Sequence, residues 1–154
     1  MSREVPKVLM VCLGNICRSP MAEGILKRKA EELGIDIIVD SAGTSNFHEG
    51  EQPDPRAMAE MRSNGIDISY QRSRPFVTAD FDRFDHILVM DTSNRTNVVN
   101  MARTETDKQK VRLILDHGNA VKGHSVPDPY YDDSFGRVYE LLDYACGAFL
   151  EKLR

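Results

Sequence analysis

The chain has 154 residues, 41% hydrophobic and 29% charged, the balance of one compact domain spanning residues 1–154. A formal net charge of -4 gives no reason to expect nucleic acid or an anionic membrane as partner, so any attraction for anions must be local. No run approaches the roughly 18 apolar residues of a membrane span, and Met1-Ser2-Arg3-Glu4-Val5-Pro6 lacks a signal-like apolar stretch, so a cytoplasmic setting is expected.

Val8 to Val11 is a short β-branched and aliphatic run that predicts a buried strand. The next amphipathic segment puts Met21, Ala22, Ile25, Leu26, Ala30 and Leu33 on one stripe and Lys27, Arg28, Glu31 and Glu32 on the other. It stops at Gly34, as a helix should. Ile37 to Val39 predicts a second strand, and a polar loop from Gly43 to Gln52 follows. Asp54 and Pro55 are suited to cap and begin a helix running to about Asn64-Gly65. Ile87 to Met90 predicts the third strand, with Asp91-Thr92-Ser93-Asn94 capping a helix through Ala102. Val111 to Leu115 predicts the fourth strand. Phe135, Val138, Leu142, Ala145, Cys146, Phe149 and Leu153 recur at three- and four-residue spacing, which marks a closing helix. This alternation predicts an α/β three-layer sandwich, a four-stranded parallel twisted sheet with helices on both faces. Ligands of such sheets sit beyond the carboxyl ends of the strands, where loops starting at Cys12, Asp40-Ser41, Asp91 and Asp116 should share one rim.

Cys12-Leu13-Gly14-Asn15-Ile16-Cys17-Arg18, followed by Ser19-Pro20, joins the first strand to the first helix. A thiol and a guanidinium five residues apart bracket a loop small enough to wrap one phosphate. Gly14 and Asn15 are suited to unusual backbone angles, so successive N–H groups can turn inward as an anion nest. Arg18 offers a planar fork for two phosphate oxygens, and the helix N-terminus adds partial positive charge. The same field favours the thiolate of Cys12, and the Ser19 hydroxyl is a further donor. Thiolate attack on phosphorus would then split hydrolysis into two steps through a phosphocysteine. Cys17 is either a packing residue or a thiol able to trap an oxidised Cys12 as a disulfide.

A departing alkoxide or phenoxide needs a proton, and Asp128, held between Pro127 and Pro129 and followed by Tyr130 and Tyr131, is the leading donor. The alternative is a turn aspartate, since Asp-Pro pairs commonly start turns. Cys12, Cys17 and Cys146 are too few for a disulfide scaffold and lack zinc-ligand spacing. His48, His86, His117 and His124 are scattered, so no metal and no cofactor is expected.

Across essentially its whole length the chain resembles the low-molecular-weight protein tyrosine phosphatases. The resemblance rests on the segment from Val11 to Glu23, Asp40-Ser41-Ala42-Gly43-Thr44, Pro53-Asp54-Pro55-Arg56, Met90-Asp91-Thr92-Ser93-Asn94 and Asp128-Pro129-Tyr130-Tyr131. It implies Cys12 as nucleophile, Arg18 as phosphate binder and Asp128 as general acid and then base. It also implies that Asn15 and Ser41 hold the loop by hydrogen bonding, that Ser19 stabilises the thiolate, and that Leu13, Phe47, Tyr130 and Tyr131 wall an aryl slot. Ile16 stands where relatives similar to protein-arginine phosphatases carry threonine, which implies phosphotyrosine proteins as partners and inorganic phosphate as product. The implied state is mostly monomeric, with at most weak self-association through the aromatic rim. One departure is visible: Ser69-Tyr70-Gln71-Arg72 lacks the histidine that many members place behind the loop, leaving Gln71 or Tyr70 to replace it.

Two rivals follow from the same loop. An arsenate reductase of this fold needs further cysteines to relay a disulfide outward, and only Cys146, in the apolar stripe of the closing helix, remains. A phosphotyrosine-binding module without chemistry is disfavoured by the intact Cys12, Arg18 and Asp128.

Overall fold

The structure, a computed structural model, describes residues 5–116 and 125–153. Four strands, β1 (Lys7–Cys12), β2 (Ile38–Gly43), β3 (His86–Val89) and β4 (Val111–Leu113), form one parallel sheet in the order β2-β1-β3-β4. The expected three-layer α/β sandwich is therefore present. Helices α1 (Arg18–Leu33), α2 (Pro55–Ser63) and α6 (Phe135–Leu153) form one layer, and α3 (Asp80–Arg83) and α4 (Thr92–Asn100) lie across the sheet from them. A short helix, α5 (Glu105–Gln109), leads into β4. Among the described residues no helix is long and apolar enough to cross a membrane.

β1 sits between two neighbours and is buried on both faces, so its side chains alternate between two cores. Val8, Met10 and Cys12 join Met21, Ile25 and Leu26 of α1 and Leu142, Ala145 and Leu150 of α6. Leu9 and Val11 join Phe76, Phe81 and Phe84 with Val98 of α4. Leu9, Met10, Met21 and Leu26 are fully buried. Each such side chain contributes about 2 kcal/mol of transfer free energy, which anchors the strand that ends at Cys12.

Helix boundaries follow local chemistry. Gly34 takes a left-handed conformation (φ 69°) and its N–H caps carbonyls of α1. The Asp54 side chain accepts from the Arg56 N–H to start α2, and Asp91 and Asn94 form a reciprocal capping box on α4. Two expectations need correction. Asp40-Ser41 lies inside β2, which runs on to Gly43, because parallel pairing with β1 continues to Cys12↔Gly43. The fourth strand ends at Leu113, and Ile114–Asp116 tightens into a 3-10 turn. The charged stretches that carry no apolar periodicity contain α3 and α5, the latter capped by the Thr104 side chain.

The strand order reverses direction between β1 and β3, which opens a crevice beyond their carboxyl ends. Cys12 closes one side of that crevice, and Met90-Asp91 closes the other.

Candidate active site

Residues 12–18 turn around a cavity of about 500 Å³. Asn15 takes the left-handed conformation (φ 57°), as expected for the residue that redirects the chain. Gly14 does not, which corrects the expectation for it: a Cβ there would meet the His48 ring at 3.1 Å, so the constraint on Gly14 is space. Gly43 is constrained more tightly, because a Cβ would stand 2.8 Å from the Leu13 carbonyl oxygen and 3.1 Å from the Asn15 nitrogen. The glycine at the end of β2 therefore lets the loop lie against the sheet.

Cys12 is buried at the base of the cavity, where its Sγ accepts from the Asn15 backbone N–H at 3.3 Å and contacts the Ser19 hydroxyl at 3.0 Å. α1 begins at Arg18 without a side-chain cap, so its first-turn N–H groups remain available to an anion. Asn15, Ser19 and Ser41 come together behind the loop, as the resemblance implies. The Asn15 amide nitrogen donates to Ser19 Oγ (2.8 Å) and Ser41 Oγ (3.0 Å), and the Arg74 backbone N–H donates to Asn15 Oδ1 (3.0 Å). Ser73 Oγ donates to the Gly14 carbonyl at 3.0 Å, turning that oxygen away from the anion site.

Arg18 is 3% exposed. Its Nη1 donates to Asp91 Oδ2 at 2.7 Å and to the Val126 carbonyl at 3.0 Å, and Nη2 lies 3.5 Å from Asp128 Oδ2. Burial works against the guanidinium charge, but Cys12, Asp91 and Asp128 outweigh it and hold the group above its ordinary value. Asp91, legible in the sequence only as a helix cap, thus uses one oxygen for α4 and the other to aim Arg18. Asp128 Oδ1 accepts the Tyr130 N–H in a turn, and its Oδ2 faces Arg18 across the mouth.

Leu13, Phe47, Tyr130 and Tyr131 line the outer wall together, with Ile16 deeper and 8% exposed. The two tyrosine rings meet edge to face at 5.2 Å. His48 joins this wall, pairing with Glu51 at 3.1 Å and tilted against Tyr130 at 6.5 Å. The sequence offered no signal for that beyond its position next to Phe47. Arg56 braces the wall, binding Asp54 at 3.0 Å, Asp133 and the Tyr130 carbonyl, with its guanidinium over the Phe135 ring. This span of 77 residues from Arg56 to Asp133 has no local sequence signature.

Cys17 also lines the cavity, but burial, and then Asp54, Cys12 and Asp128, push its thiol far up. Cys146 is fully buried between α6 and α1, its thiol pushed up to about 12 by burial. All three cysteines are free. Among the described residues no group of three or more His, Cys, Asp or Glu side chains could hold a metal ion. His117 and His124 lie outside the described residues.

Gln71 turns its Nε2 to the Pro20 carbonyl (3.1 Å) and leaves its buried Oε1 without a hydrogen-bond partner. Lys27 binds Glu23 Oε2 at 2.6 Å and the Tyr70 hydroxyl at 2.9 Å. Glu23, 3% exposed, accepts in turn from Ser41 Oγ at 2.7 Å.

A parallel sheet in the order β2-β1-β3-β4, with its cavity at the loop between β1 and α1, defines a doubly wound α/β protein. The model of the low molecular weight phosphotyrosine protein phosphatase family matches residues 7–154. A Schizosaccharomyces pombe protein named as such a phosphatase is 39% identical, covering 90% of this chain and 92% of its own. The crystal structure of a protein tyrosine phosphatase from Entamoeba histolytica has a TM-score of 0.90 and 40% identity, covering 96% of each chain. A solved structure named Drosophila arginine phosphatase has a TM-score of 0.89 and 32% identity, covering 96% of this chain and 98% of its own. The chain belongs to the low molecular weight phosphotyrosine protein phosphatase family, hydrolases of phosphoric monoesters.

Proposed function

We propose that this chain is a protein-tyrosine phosphatase that works through a phosphocysteine on Cys12. The observation that carries the reading is the Cys12 sulfur itself, buried at an uncapped helix start and facing two hydrogen-bond donors. A phosphate seated there receives loop N–H groups and the Arg18 fork. The thiolate lone pair forms the S–P bond as the P–O bond to the aryl group breaks, and Asp128 gives its proton to the departing oxygen. Asp128, now a carboxylate, takes a proton from water as that water attacks phosphorus. The S–P bond breaks, the thiolate returns and inorganic phosphate leaves. Charge developing on the equatorial oxygens is met by donors already aimed at the site.

The largely apolar outer wall of Leu13, Phe47, Tyr130 and Tyr131, with apolar Ile16 below, supports an aromatic substrate side chain and hence phosphotyrosine proteins. The Drosophila relative named as an arginine phosphatase keeps phosphoarginine as the second reading. Full burial of Cys146 supports setting the arsenate relay aside. We further infer a cytoplasmic, mostly monomeric enzyme, in which Cys17 closes a disulfide on oxidised Cys12.

The test is hydrolysis of an aryl phosphate at mildly acidic pH by the purified protein. Cys12→Ser abolishes turnover and keeps binding, and Asp128→Ala lowers kcat by about 10²- to 10⁴-fold. Unchanged activity in Cys12→Ser overturns the mechanism. Paired phosphotyrosine and phosphoarginine peptides decide specificity, and preference for phosphoarginine overturns the reading of Ile16.

A further inference from the structure

The hydrogen bonds behind the loop run in one direction and are anchored at two points, by Lys27 on Glu23 and by the Arg74 N–H on Asn15. Lys27 has only protons to give, so Glu23 Oε2 accepts from it, and the ammonium favours the carboxylate form. A carboxylate can only accept, so the single Ser41 proton goes to Glu23 (2.7 Å) and the Ser41 oxygen is left as an acceptor. Asn15 meets it with its amide nitrogen, and this orientation is fixed independently, because Asn15 Oδ1 accepts the Arg74 N–H. The same nitrogen donates to Ser19, whose oxygen is thereby occupied and whose proton is free for Cys12 Sγ at 3.0 Å. The competing acceptor, the Ala42 carbonyl, is more distant at 3.5 Å.

We propose that Lys27, held by Tyr70, is a positioning residue that steadies the Glu23–Ser41 end of this chain of bonds and so holds the Ser19 proton on the Cys12 thiolate. The proposal rests on Cys12 being the nucleophile and adds where the orienting charge comes from. Gln71 carries no charge and spends its amide on Pro20, so it cannot supply it. Lys27 is half-buried, and its ammonium also lies 4.9 Å from the centre of the Tyr70 ring, which restrains it against α1. The charged groups facing Glu23 are Lys27 on its own helix and Asp40 on β2. Asp40 disfavours the carboxylate and is itself bound by Arg74. Burial pushes the Glu23 carboxyl up and Lys27 and Ser41 pull it back, so removing the ammonium favours a neutral Glu23. A neutral Glu23 can donate to Ser41, which takes away the acceptor of the Ser41 proton and loosens Ser41 as the group that holds the Asn15 amide beside Ser19, while the Arg74 N–H still sets which way that amide faces.

The test is the rate of Cys12 alkylation by iodoacetamide at one mildly acidic pH, with kcat and KM for an aryl phosphate and a thermal melt on each protein. Lys27→Met should slow alkylation and lower kcat by roughly three- to tenfold, the loss of one oriented hydrogen bond, with KM little changed. Lys27→Arg should restore both, and Tyr70→Phe should lie between. Lys29→Met, which removes a lysine paired with Asp143 on α6, serves as the control and should match wild type. If Lys27→Met fails to fold, Lys27→Gln makes the same comparison. Wild-type alkylation rates in the uncharged variants, or slow alkylation that Lys27→Arg does not restore, overturn the proposal. If the wild-type protein itself is neither alkylated at Cys12 nor active, the nucleophile reading fails instead.

Discussion

The inner and outer walls of the cavity are built in opposite ways. Inside, Asn15, Ser19, Ser41 and Arg18 are at most 4% exposed, and each makes hydrogen bonds to partners on other segments. Outside, Phe47 is 85% exposed and Tyr131 77%, and Tyr131 meets Tyr130, whose carbonyl Arg56 binds, edge to face. Groups that must meet developing charge cannot reorganise during the reaction and so are fixed by saturated polar bonds. Groups that receive a side chain from another protein need apolar area and access, which leaves them in water.

Substitutions should separate the two walls kinetically. The largest effect is expected for Arg18→Ala, which removes the fork and leaves Asp91 and Asp128 facing each other without a cation; kcat/KM should fall by at least about 10³-fold. A loss under tenfold would mean that the inner wall does not carry the phosphate. Asn15→Ala should lower kcat by about tenfold with KM within about twofold, because it unfixes Ser19 without touching the slot. Phe47→Ala should do the reverse, raising KM by about tenfold through lost apolar contact while leaving kcat nearly unchanged. Equal effects on both constants from either variant would erase the distinction.

The smallest effect is in stability against pH, and the two walls should differ in sign. Burial raises the Glu23 carboxyl, so its contribution is complete below the ordinary value of 4.5 and is lost as pH rises through the raised value. Burial also pushes Asp54 up, but hydrogen bonds from Arg56 outweigh it and lower the carboxyl; its contribution is present above 3.8 and lost as pH falls. Thermal melts should therefore show the margin of wild type over Glu23→Gln shrinking as pH rises above 4.5. The margin over Asp54→Asn should shrink as pH drops below 3.8. Parallel pH profiles for both variants would contradict this.

The elements most legible in the sequence were those with a local signature. β1, α1 with its Gly34 stop, and the Cys12 to Arg18 loop are set by apolar periodicity, capping and spacing within a few residues. α3 and α5 were hidden because each is a single turn held by caps and neighbours without an apolar stripe. In the candidate site, Cys12 and Arg18 follow from the loop alone. The contacts of Asp91 with Arg18, of Arg56 with Asp133 and of Ser73 with Gly14 span 59 to 77 residues and depend on the sheet order. Glu23 and Lys27 stand at helical i, i+4 spacing, which looks like a solvated pair. Only the packing of α1 against β2 shows that Glu23 is buried against Ser41.

The most direct test of the central claim is to find the phosphate in mid-reaction. Asp128→Ala protein mixed with an aryl phosphate whose leaving group needs no proton, quenched in acid and digested, should carry one phosphate on Cys12 by mass spectrometry. Phosphate on another side chain, or retained turnover in Cys12→Ser with no phosphocysteine in any sample, would contradict the account.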